Sequence, residues 1–305
     1  MIYTNNHKLP SIVFNALTNR GKMPDGYVKS DISVSALMDS PQVRILRKRH
    51  KDMLQEDAMD RVWALLGESV HNIMEASVQL NTELGIDPND FIAEVLGAMV
   101  VNNWRIGYKL DLFQKSTGWI WDYKVTSAWS LVFDRSRISW LKQTNYYAEF
   151  YRSEGHEVKG ASIVAILKDW SKKDALRNRD YPQTPIVVLP MTLYDPQGIK
   201  ESLFQQVVRH QQADQFTDPE LPDCTPEEQW RNPTKYAVMR PSGGRSLKNC
   251  DTIEEARVYA NNAGNGAYVE TRPSKPTRCE EYCPVRDFCH QRKREYAESQ
   301  IKTIA

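Results

Sequence analysis

Cysteine is absent from the first 223 residues of this 305-residue chain, and all five cysteines lie at or beyond residue 224. Any apolar run near the roughly 20 residues that cross a bilayer is also missing. The N-terminal MIYTNNHKLP lacks the charged-then-apolar pattern of a secretion signal. We therefore expect a cytoplasmic protein with no membrane partner, in which cysteines serve metals more often than disulfides.

An excess of charge of either sign is missing as well. The formal net charge is +1, so the chain as a whole is not a basic nucleic-acid binder. A DNA enzyme of this composition would need a local basic groove. One basic run exists, which a solvated helix face explains equally well: Arg44, Arg47, Lys48, Arg49, His50 and Lys51. With 41% hydrophobic and 26% charged residues, a globular protein with a sizeable core is expected.

Hydrophobic spacing predicts an α/β chain in which helices and strands alternate. Residues 1–30 look irregular, and helices are expected at 42–56, 59–80, 137–153 and 197–213. The helix at 59–80 carries an apolar stripe, Val62, Leu65, Leu66, Ser69, Ile73 and Met74. Alternating residues predict a β-hairpin within 104–125, whose turn is Lys115-Ser116-Thr117-Gly118. Further strands are expected at 162–167 and 185–189.

These elements suggest three segments: an N-terminal helical segment over 1–58, a core over 59–213, and a cysteine-containing C-terminal region over 214–305. The boundary near 214 follows from a stretch rich in Pro, Asp and Glu at 214–235, which resembles a connection.

Three polar residues stand out on the predicted hairpin. Asp111 ends the first strand, while Asp122 and Lys124 lie two apart on the second and so share one face. The hairpin places Asp111 near Asp122, and paired carboxylates suit Mg²⁺ or Mn²⁺. A neighbouring lysine can position an attacking water and balance charge on a phosphate. The spacing alone is not specific, because Glu157-Val158-Lys159 also matches it, but without an aspartate on the preceding strand.

The flanking helices carry further candidates. His71 lies over the helical turn that contains Gly67, where a glycine leaves room for a metal or phosphate. The alternative is a structural histidine. Gln143 and Tyr147 share one face of the following helix. The alternative there is an ordinary core stripe, made of Trp140, Thr144, Tyr147 and Tyr151.

Near the C-terminus, Cys279, Cys283 and Cys289 fall within RCEEYCPVRDFCHQ. Core packing explains three thiols in this charged run poorly, whereas a soft metal site explains them well. We predict Cys224 as the fourth ligand because it lies in an irregular segment that can reach over. Cys250, which also suits a small buried position, and His290 remain alternatives.

In order, the motifs are GxxxH, Asp, DxK and QxxxY. This series resembles the RecB-like branch of the PD-(D/E)xK nucleases, and more narrowly the CRISPR-associated Cas-four exonucleases and their bacteriophage relatives. The resemblance covers roughly residues 30–295. It is carried by ISVSALMDSP, by Gly67 and His71, by Gly107 and Asp111, by Asp122 and Lys124, and by Gln143 and Tyr147.

The resemblance implies a restriction-endonuclease-like core, a mixed sheet flanked by helices, with a C-terminal cysteine-cluster region. It implies that Asp111, Asp122, His71 and the carbonyl of Val125 bind the divalent ion, with Glu94 as an additional carboxylate. Lys124 would serve the attacking water, and Gln143 and Tyr147 would hold DNA or steady the site. Asp122 is a departure, because the group usually has Glu there.

The related nucleases hold a 4Fe-4S cluster with three C-terminal cysteines and one distant cysteine. Here the first spacing is three residues rather than the commoner two, and Ser40-Pro41 stands where the distant cysteine belongs. The predicted ligands are Cys224, Cys279, Cys283 and Cys289, with a structural zinc as the alternative metal. We expect the cluster to pin the C-terminal segment rather than to carry electrons.

The function expected from these features is metal-dependent DNA hydrolysis, as an exonuclease on single strands or DNA ends in phage or bacterial replication, recombination or repair. Expected partners are DNA and either a second copy of the chain or replication and recombination proteins. Two alternatives remain: a nuclease-fold binding module without activity, and an endonuclease that acts on structured DNA.

Overall fold

The computed structural model describes residues 1–19, 29–80, 87–134 and 136–304. Contacts group the chain into two units, where the sequence suggests three segments. The first unit comprises Met1–Asp39 and Lys51–Gln215, and the second comprises Ser40–His50 and Phe216–Ala305. None of the helices in the described ranges combines the length and apolar character that a membrane crossing requires.

The strands are β1 (Ile2–Thr4), β2 (Ile32–Ser33), β3 (Gln55–Asp57), β4 (Phe91–Val101), β5 (Trp104–Gln114), β6 (Trp119–Thr126), β7 (Gly160–Leu167), β8 (Ile186–Met191), β9 (Lys235–Met239), β10 (Lys248–Cys250) and β11 (Tyr268–Arg272). The helices are α1 (Ser11–Thr18), α2 (Val34–Leu37), α3 (Pro41–Arg49), α4 (Val62–Leu80), α5 (Ala128–Val132), α6 (Arg137–Ser153), α7 (Lys172–Arg177), α8 (Pro196–Ala213), α9 (Ile253–Ala263) and α10 (His290–Ile304).

A mixed six-stranded sheet forms the centre of the first unit. β4 pairs antiparallel with β5 along almost its whole length. The other edge of β5 is shared: β2 pairs with Ile106 and Gly107, and β6 pairs only with residues 112–114. β6 then continues as a parallel partner of β7, which pairs antiparallel with β8. Residues 108–111 of β5 therefore face an opening where β6 diverges.

Helices cover both faces of this sheet. Ile120 of β6 belongs to the main core together with buried aromatic residues of α6, among them Tyr146 and Phe150. The next residue, Trp121, and Tyr123 pack on the other face against Met74 and Val78 of α4 and their neighbours. Side chains alternate across a strand, so one strand contributes to both layers. The α/β class and the hairpin predicted from the sequence are confirmed.

Most of the predicted apolar stripe on α4 does not face the core; Met74 is the exception. Val62, Leu65 and Leu66 are 37–39% exposed, and Ile73 is 67% exposed. The residues that pack are Met74 and Val78, near the C-terminal end of the helix. Periodicity correctly predicts that a helix runs to residue 80, but it cannot tell which side of an apolar helix is covered.

Three other regions differ from expectation. The N-terminal residues predicted to be irregular include β1 and α1, while residues 20–28 lie outside the described residues. The helix predicted over 42–56 ends at Arg49, and β3, which pairs parallel with β1, follows it. β4 is missing from the sequence-based prediction altogether.

The second unit contains a small antiparallel sheet of order β10-β9-β11. α9 packs on it through Ala256 and Ala260, against Val238 and Cys250. α3 belongs to this unit too, and part of its basic run is engaged: Asp218 accepts from Arg49 at 2.7 Å and lies 2.6 Å from His50 Nε2. A single π-helical turn, Arg278–Tyr282, leads into the last cysteines.

Candidate active site and cysteine centre

Asp111 lies at the opening between β5 and β6. It is 7% exposed, and its Oδ2 accepts a hydrogen bond of 2.7 Å from the backbone N–H of Tyr123. The ladder runs from Gln114↔Trp119 to Leu112↔Trp121 and ends there, so Asp111 and Asp122 are the first residues beyond it on the two strands. The hairpin therefore brings the two aspartates together as predicted. Asp111 does not end its strand, however, because β5 continues to Gln114.

Glu94 lies opposite Asp111 on the other side, on β4. The β4–β5 ladder passes from Ala93↔Leu112 to Val95↔Leu110 and omits the pair between them. Glu94 has a φ of 53°, in the left-handed region, and only 5% of its side chain is exposed. Such a conformation costs a non-glycine residue of order 1–3 kcal/mol and persists where the surrounding structure enforces it. The distortion coincides with a buried carboxylate directed at Asp111.

His71 of α4 joins these two carboxylates. Its Nδ1 lies 3.2 Å from Asp111 Oδ1 and 3.3 Å from Glu94 Oε1. One ligand atom from each of the three residues lies within 4.8 Å of the others. Hydrogen bonds to Asp111 and then to Glu94 raise the pKa of His71 to about 9. The predicted placement of His71 beside Asp111 is therefore found.

Asp122 is almost completely buried, at 1% exposure, and its Oδ2 lies 2.6 Å from Lys124 Nζ. Burial raises the pKa of Asp122 to about 6; the charge of Asp111 acts in the same direction, and Lys124 opposes it. Asp122 stands beside the group of His71, Glu94 and Asp111 rather than within it. The geometry thus gives three close donors and an adjacent aspartate–lysine pair.

These donors fit a divalent cation. Glu94 Oε2 and Asp122 Oδ2 are buried and accept no well-directed hydrogen bond, although each has a lysine ammonium beside it, Lys109 and Lys124 respectively. Three carboxylates around one opening repel one another unless cations balance them. Oxygen ligands with a single imidazole nitrogen suit Mn²⁺ or Mg²⁺.

The α6 candidates lie against this site. Gln143 Nε2 donates to Tyr147 Oη at 2.8 Å. Burial raises the pKa of Tyr147, and the charge of Asp122 is the next largest cause, which places the phenol close to that carboxylate. The alternative of a core stripe also holds, because Trp140, Thr144, Tyr147 and Tyr151 are all buried. Tyr147 therefore belongs to the core and to the wall of the site.

Two glycines of the motifs have different explanations. A Cβ added to Gly67 would meet nothing within 4 Å, so the space above that turn of α4 is open. A Cβ at Gly107 would lie 2.7 Å from Ser30 Oγ, so this glycine allows the chain before β2 to approach β5. Val125 pairs with Ile166 of β7, one residue beyond Lys124. Its carbonyl remains a predicted ligand.

In the second unit, Cys224 and Cys289 share one neighbour. Their sulfurs lie 3.4 Å and 3.2 Å from Gln42 Oε1, and Cys224 Sγ also lies 3.1 Å from Ser40 Oγ. Cys279 affects the pKa of Cys224 and is itself affected by Cys283. These influences make the four predicted cysteines neighbours, although among the described residues only His71, Glu94 and Asp111 bring one ligand atom each within 4.8 Å of the others. Sequence analysis missed Gln42 as a neighbour, because it is distant along the chain.

Cys250 lies outside this group. It packs against α9 in the core of the small sheet, and its electrostatic neighbours are Glu255, Lys248 and Asp251. His290 begins α10 and is exposed. Burial raises the pKa of Cys224 to about 12 and that of Cys279 to about 11, so these thiols are neutral unless a metal is bound.

The fold and these two groups define a mixed α/β protein with a mixed sheet flanked by helices and with cysteines gathered near the C-terminus. No family model and no curated protein matches the chain. One solved structure, titled "Crystal structure of SSO0001", is similar over 60% of this chain and 79% of that one, at 16% identity and a TM-score of 0.38. A score this low carries no inference about function.

Proposed function

We propose that the protein is a Mg²⁺- or Mn²⁺-dependent deoxyribonuclease built on a PD-(D/E)xK core of the RecB-like, Cas-four-like type. The observation that supports this most is the meeting of His71, Glu94 and Asp111 at the strand opening, with Asp122 and Lys124 next along the hairpin. Hard oxygen donors beside a lysine are what metal-assisted phosphodiester hydrolysis requires.

His71, Glu94, Asp111 and Asp122 would hold the ion. When bound, it would polarise the scissile phosphate and lower the pKa of a water molecule. Lys124 would orient that water and balance charge that develops on the phosphate; its ammonium, 2.6 Å from Asp122, supports this role. Tyr147, hydrogen-bonded to Gln143, supports the Asp122 side of the site and, in this proposal, contacts DNA.

The proposed substrate is DNA, taken as a single strand or at an end, and cleaved as an exonuclease. The protein would act in the cytoplasm, or in that of a bacterial host if phage-encoded, during replication, recombination or repair, alone or with a second copy or other proteins of those processes. We further propose that Cys224, Cys279, Cys283 and Cys289 hold a 4Fe-4S cluster, with zinc as the alternative. The contact of both Cys224 and Cys289 with Gln42, and the influence of Cys279 on the pKa of Cys224, support a common metal centre.

Digestion of labelled single-stranded, double-stranded and hairpin DNA with and without Mn²⁺ tests the proposal. We expect metal-dependent release of short products from single strands or ends, and none in chelator. Cleavage only within hairpins would favour an endonuclease. Binding without cleavage under any divalent ion would contradict the enzymatic function and leave a DNA-binding module.

A further inference from the structure

We infer that unpaired DNA bases stack on an aromatic surface at the carboxyl ends of β6 and β7. We group three rings, Trp63, Trp129 and Phe133, as the aromatic platform. Lys168 connects them, because its ammonium contacts the Trp63 ring and its backbone N–H donates to Thr126, three residues before Trp129. The inference deepens the proposed function, on which it rests, because it identifies single-stranded DNA as the substrate and names the residues that select it.

All three rings are exposed although they are large and apolar. Trp63 is 57% exposed, Trp129 44% and Phe133 58%. Trp129 and Phe133 lie nearly parallel, with ring centroids 5.9 Å apart and an interplanar angle of 24°. Exposed aromatic faces of this kind usually mark a binding surface, and stacked bases are one of the few ligands that cover such faces fully.

The Trp129 ring is held in place by its neighbours. Trp129 packs edge-on against Tyr181, which is 1% exposed, at 5.3 Å between centroids. The short helix that carries Trp129 is anchored by Asp169, which accepts from Ser127 Oγ at 2.5 Å and from the Ala128 N–H at 2.7 Å. A platform fixed in advance loses little conformational entropy when a base stacks on it.

Charge at the platform is complementary to a phosphate backbone. Lys168 Nζ lies 3.4 Å from the centre of the Trp63 ring, a cation–π contact. Lys172 and Lys173, both exposed, follow four and five residues later at the start of α7. Aromatic side chains together with basic ones are the combination that binds single strands without reading their sequence.

The platform lies directly beyond the candidate active site. Lys124 pairs with Ala165 and Thr126 with Leu167, so both strands end at the same edge of the sheet. The N–H of Lys168 donates to the Thr126 carbonyl at 3.0 Å. Thr126 follows Lys124 by about 7 Å along the strand, a spacing of two residues. A single DNA strand with one phosphate at Lys124 therefore reaches the platform within a few nucleotides.

Duplex DNA does not fit this surface, because its base faces are already stacked on one another, and only unpaired bases can lie against an indole. The platform therefore favours the binding of single-stranded over duplex DNA, whether or not the DNA is then hydrolysed.

The test measures binding by the full-length protein without added divalent ion, using fluorescein-labelled oligothymidine, an abasic strand of equal length, and a duplex. We expect Trp129→Ala and Trp63→Ala each to weaken oligothymidine binding roughly fivefold or more. Both variants should bind the abasic strand as tightly as the unchanged protein does, because that strand has phosphates but no bases to stack. Trp129→Phe should retain most of the affinity. This result would show that loss of the aromatic ring, and not a disturbed fold, weakens binding in Trp129→Ala.

Tyr194→Ala is the matched control. Tyr194 is 49% exposed and belongs to the same unit. It follows β8, whose last residue, Met191, pairs with Ala161 near the start of β7. Lys168 follows the other end of β7, so Tyr194 lies away from the platform. It should bind like the unchanged protein. Lys168→Ala should reduce the slope of log affinity against log salt by about 0.7, the loss of one phosphate contact on a single strand.

Equal loss on oligothymidine and abasic strand would overturn stacking, and so would unchanged binding in Trp129→Ala or no binding by the unchanged protein. If Tyr194→Ala weakens binding as much as Trp129→Ala does, the loss reflects exposed apolar area in general, and the platform is contradicted. If the protein never cleaves DNA but its variants bind as predicted, the proposed nuclease function is wrong and the platform stands. If the protein cleaves DNA but the tryptophan variants bind like the unchanged protein, the nuclease function stands and the platform is wrong.

Discussion

The backbone N–H of Tyr123 donates to the carboxylate of Asp111 at the point where two paired strands separate. This bond stands where a ladder hydrogen bond would lie if β6 followed β5 further. It holds Asp111 Oδ2 toward β6 and leaves Oδ1 facing His71. The divergence of the strands and the orientation of the acidic side chain are therefore one structural feature.

The first prediction concerns the acidic residues and the lysine. Asp111→Ala, Asp122→Ala and Lys124→Ala should each abolish cleavage while the folded structure is retained. The loss should exceed the roughly 10- to 100-fold that removal of an outer partner of a metal ligand costs. Rates on a labelled single strand in Mn²⁺, with circular dichroism for folding, check this.

The chain contains its own control for that experiment. Lys159 forms an exposed pair with Glu157 at 3.3 Å and completes the second match to the same short motif. Lys159→Ala should cleave like the unchanged protein. Full activity in Lys124→Ala would remove the role assigned to that lysine.

A second prediction concerns Glu94, which the resemblance implies as an additional carboxylate and which lies 3.3 Å from His71. The melting temperature should rise with Mn²⁺, because a ligand that binds only the folded state adds about 2.7 kcal/mol at 100 times its dissociation constant. Glu94→Gln should remove most of that rise. Glu68→Gln, on the exposed side of α4, should leave it intact. Equal rises in both variants would exclude Glu94 as a ligand.

The third prediction is the titration of His71 in the metal-free protein. Asp111 and Glu94 raise its pKa to about 9, so the imidazole should remain protonated at neutral pH. Because the folded pKa lies above the unfolded value, this contribution to stability is complete below about 6.5 and is lost as pH rises through about 9. Proton NMR in chelator, with the signal assigned by its loss in His71→Gln, measures it. Asp111→Asn should lower the pKa, and an unchanged value there would contradict the assigned cause.

The fourth prediction uses Gly67. Alanine is more favourable than glycine inside a helix by about 0.8–1.0 kcal/mol, and a Cβ at this position meets nothing within 4 Å. Gly67→Ala should therefore raise thermal stability. If substrate passes over this turn, the same variant should also weaken cleavage, chiefly through KM. A more stable variant with unchanged kinetics would show that the open space is not used.

The fifth prediction concerns the cysteine centre. Purified without oxygen, the protein should be brown, Cys224→Ser should lose the colour and expose 214–305 to protease, and Cys250→Ser should change neither. Ser40 Oγ lies only 3.1 Å from Cys224 Sγ. A Ser40→Cys, Cys224→Ser double variant should therefore regain colour. A colourless protein with stoichiometric zinc would identify the other metal, and a brown Cys224→Ser protein would assign the fourth ligand elsewhere.

Much of the first unit follows from local patterns in the sequence. The turn at Gly118, with a φ of 68°, and the alternation on both sides predict the hairpin and hence the Asp111–Asp122 proximity. The helix at 137–153 has the predicted bounds. These features depend on neighbouring residues, which is why a single sequence is enough to predict them.

Local patterns do not predict the strand that carries Glu94 or its backbone conformation, although the resemblance implies Glu94 as an additional carboxylate. β4 reads FIAEVLGAMVV, an apolar run that only Glu94 interrupts with a charge, and periodicity does not separate a buried strand from a helix in such a run. The left-handed residue within it depends on pairing with β5. Likewise, nothing local indicates that Gln42 meets Cys224 and Cys289, because more than 180 residues separate them.

Helix α3 is synthesised early, but the rest of its unit is synthesised last. Its Val43, Ile45 and Leu46 are at most 3% exposed, and its unit otherwise begins at Phe216. During synthesis on the ribosome this apolar face has no partner until the last third of the chain emerges. A chain cut after Gln215 would keep that face uncovered, so we expect the truncated product to aggregate even though the whole central sheet is present.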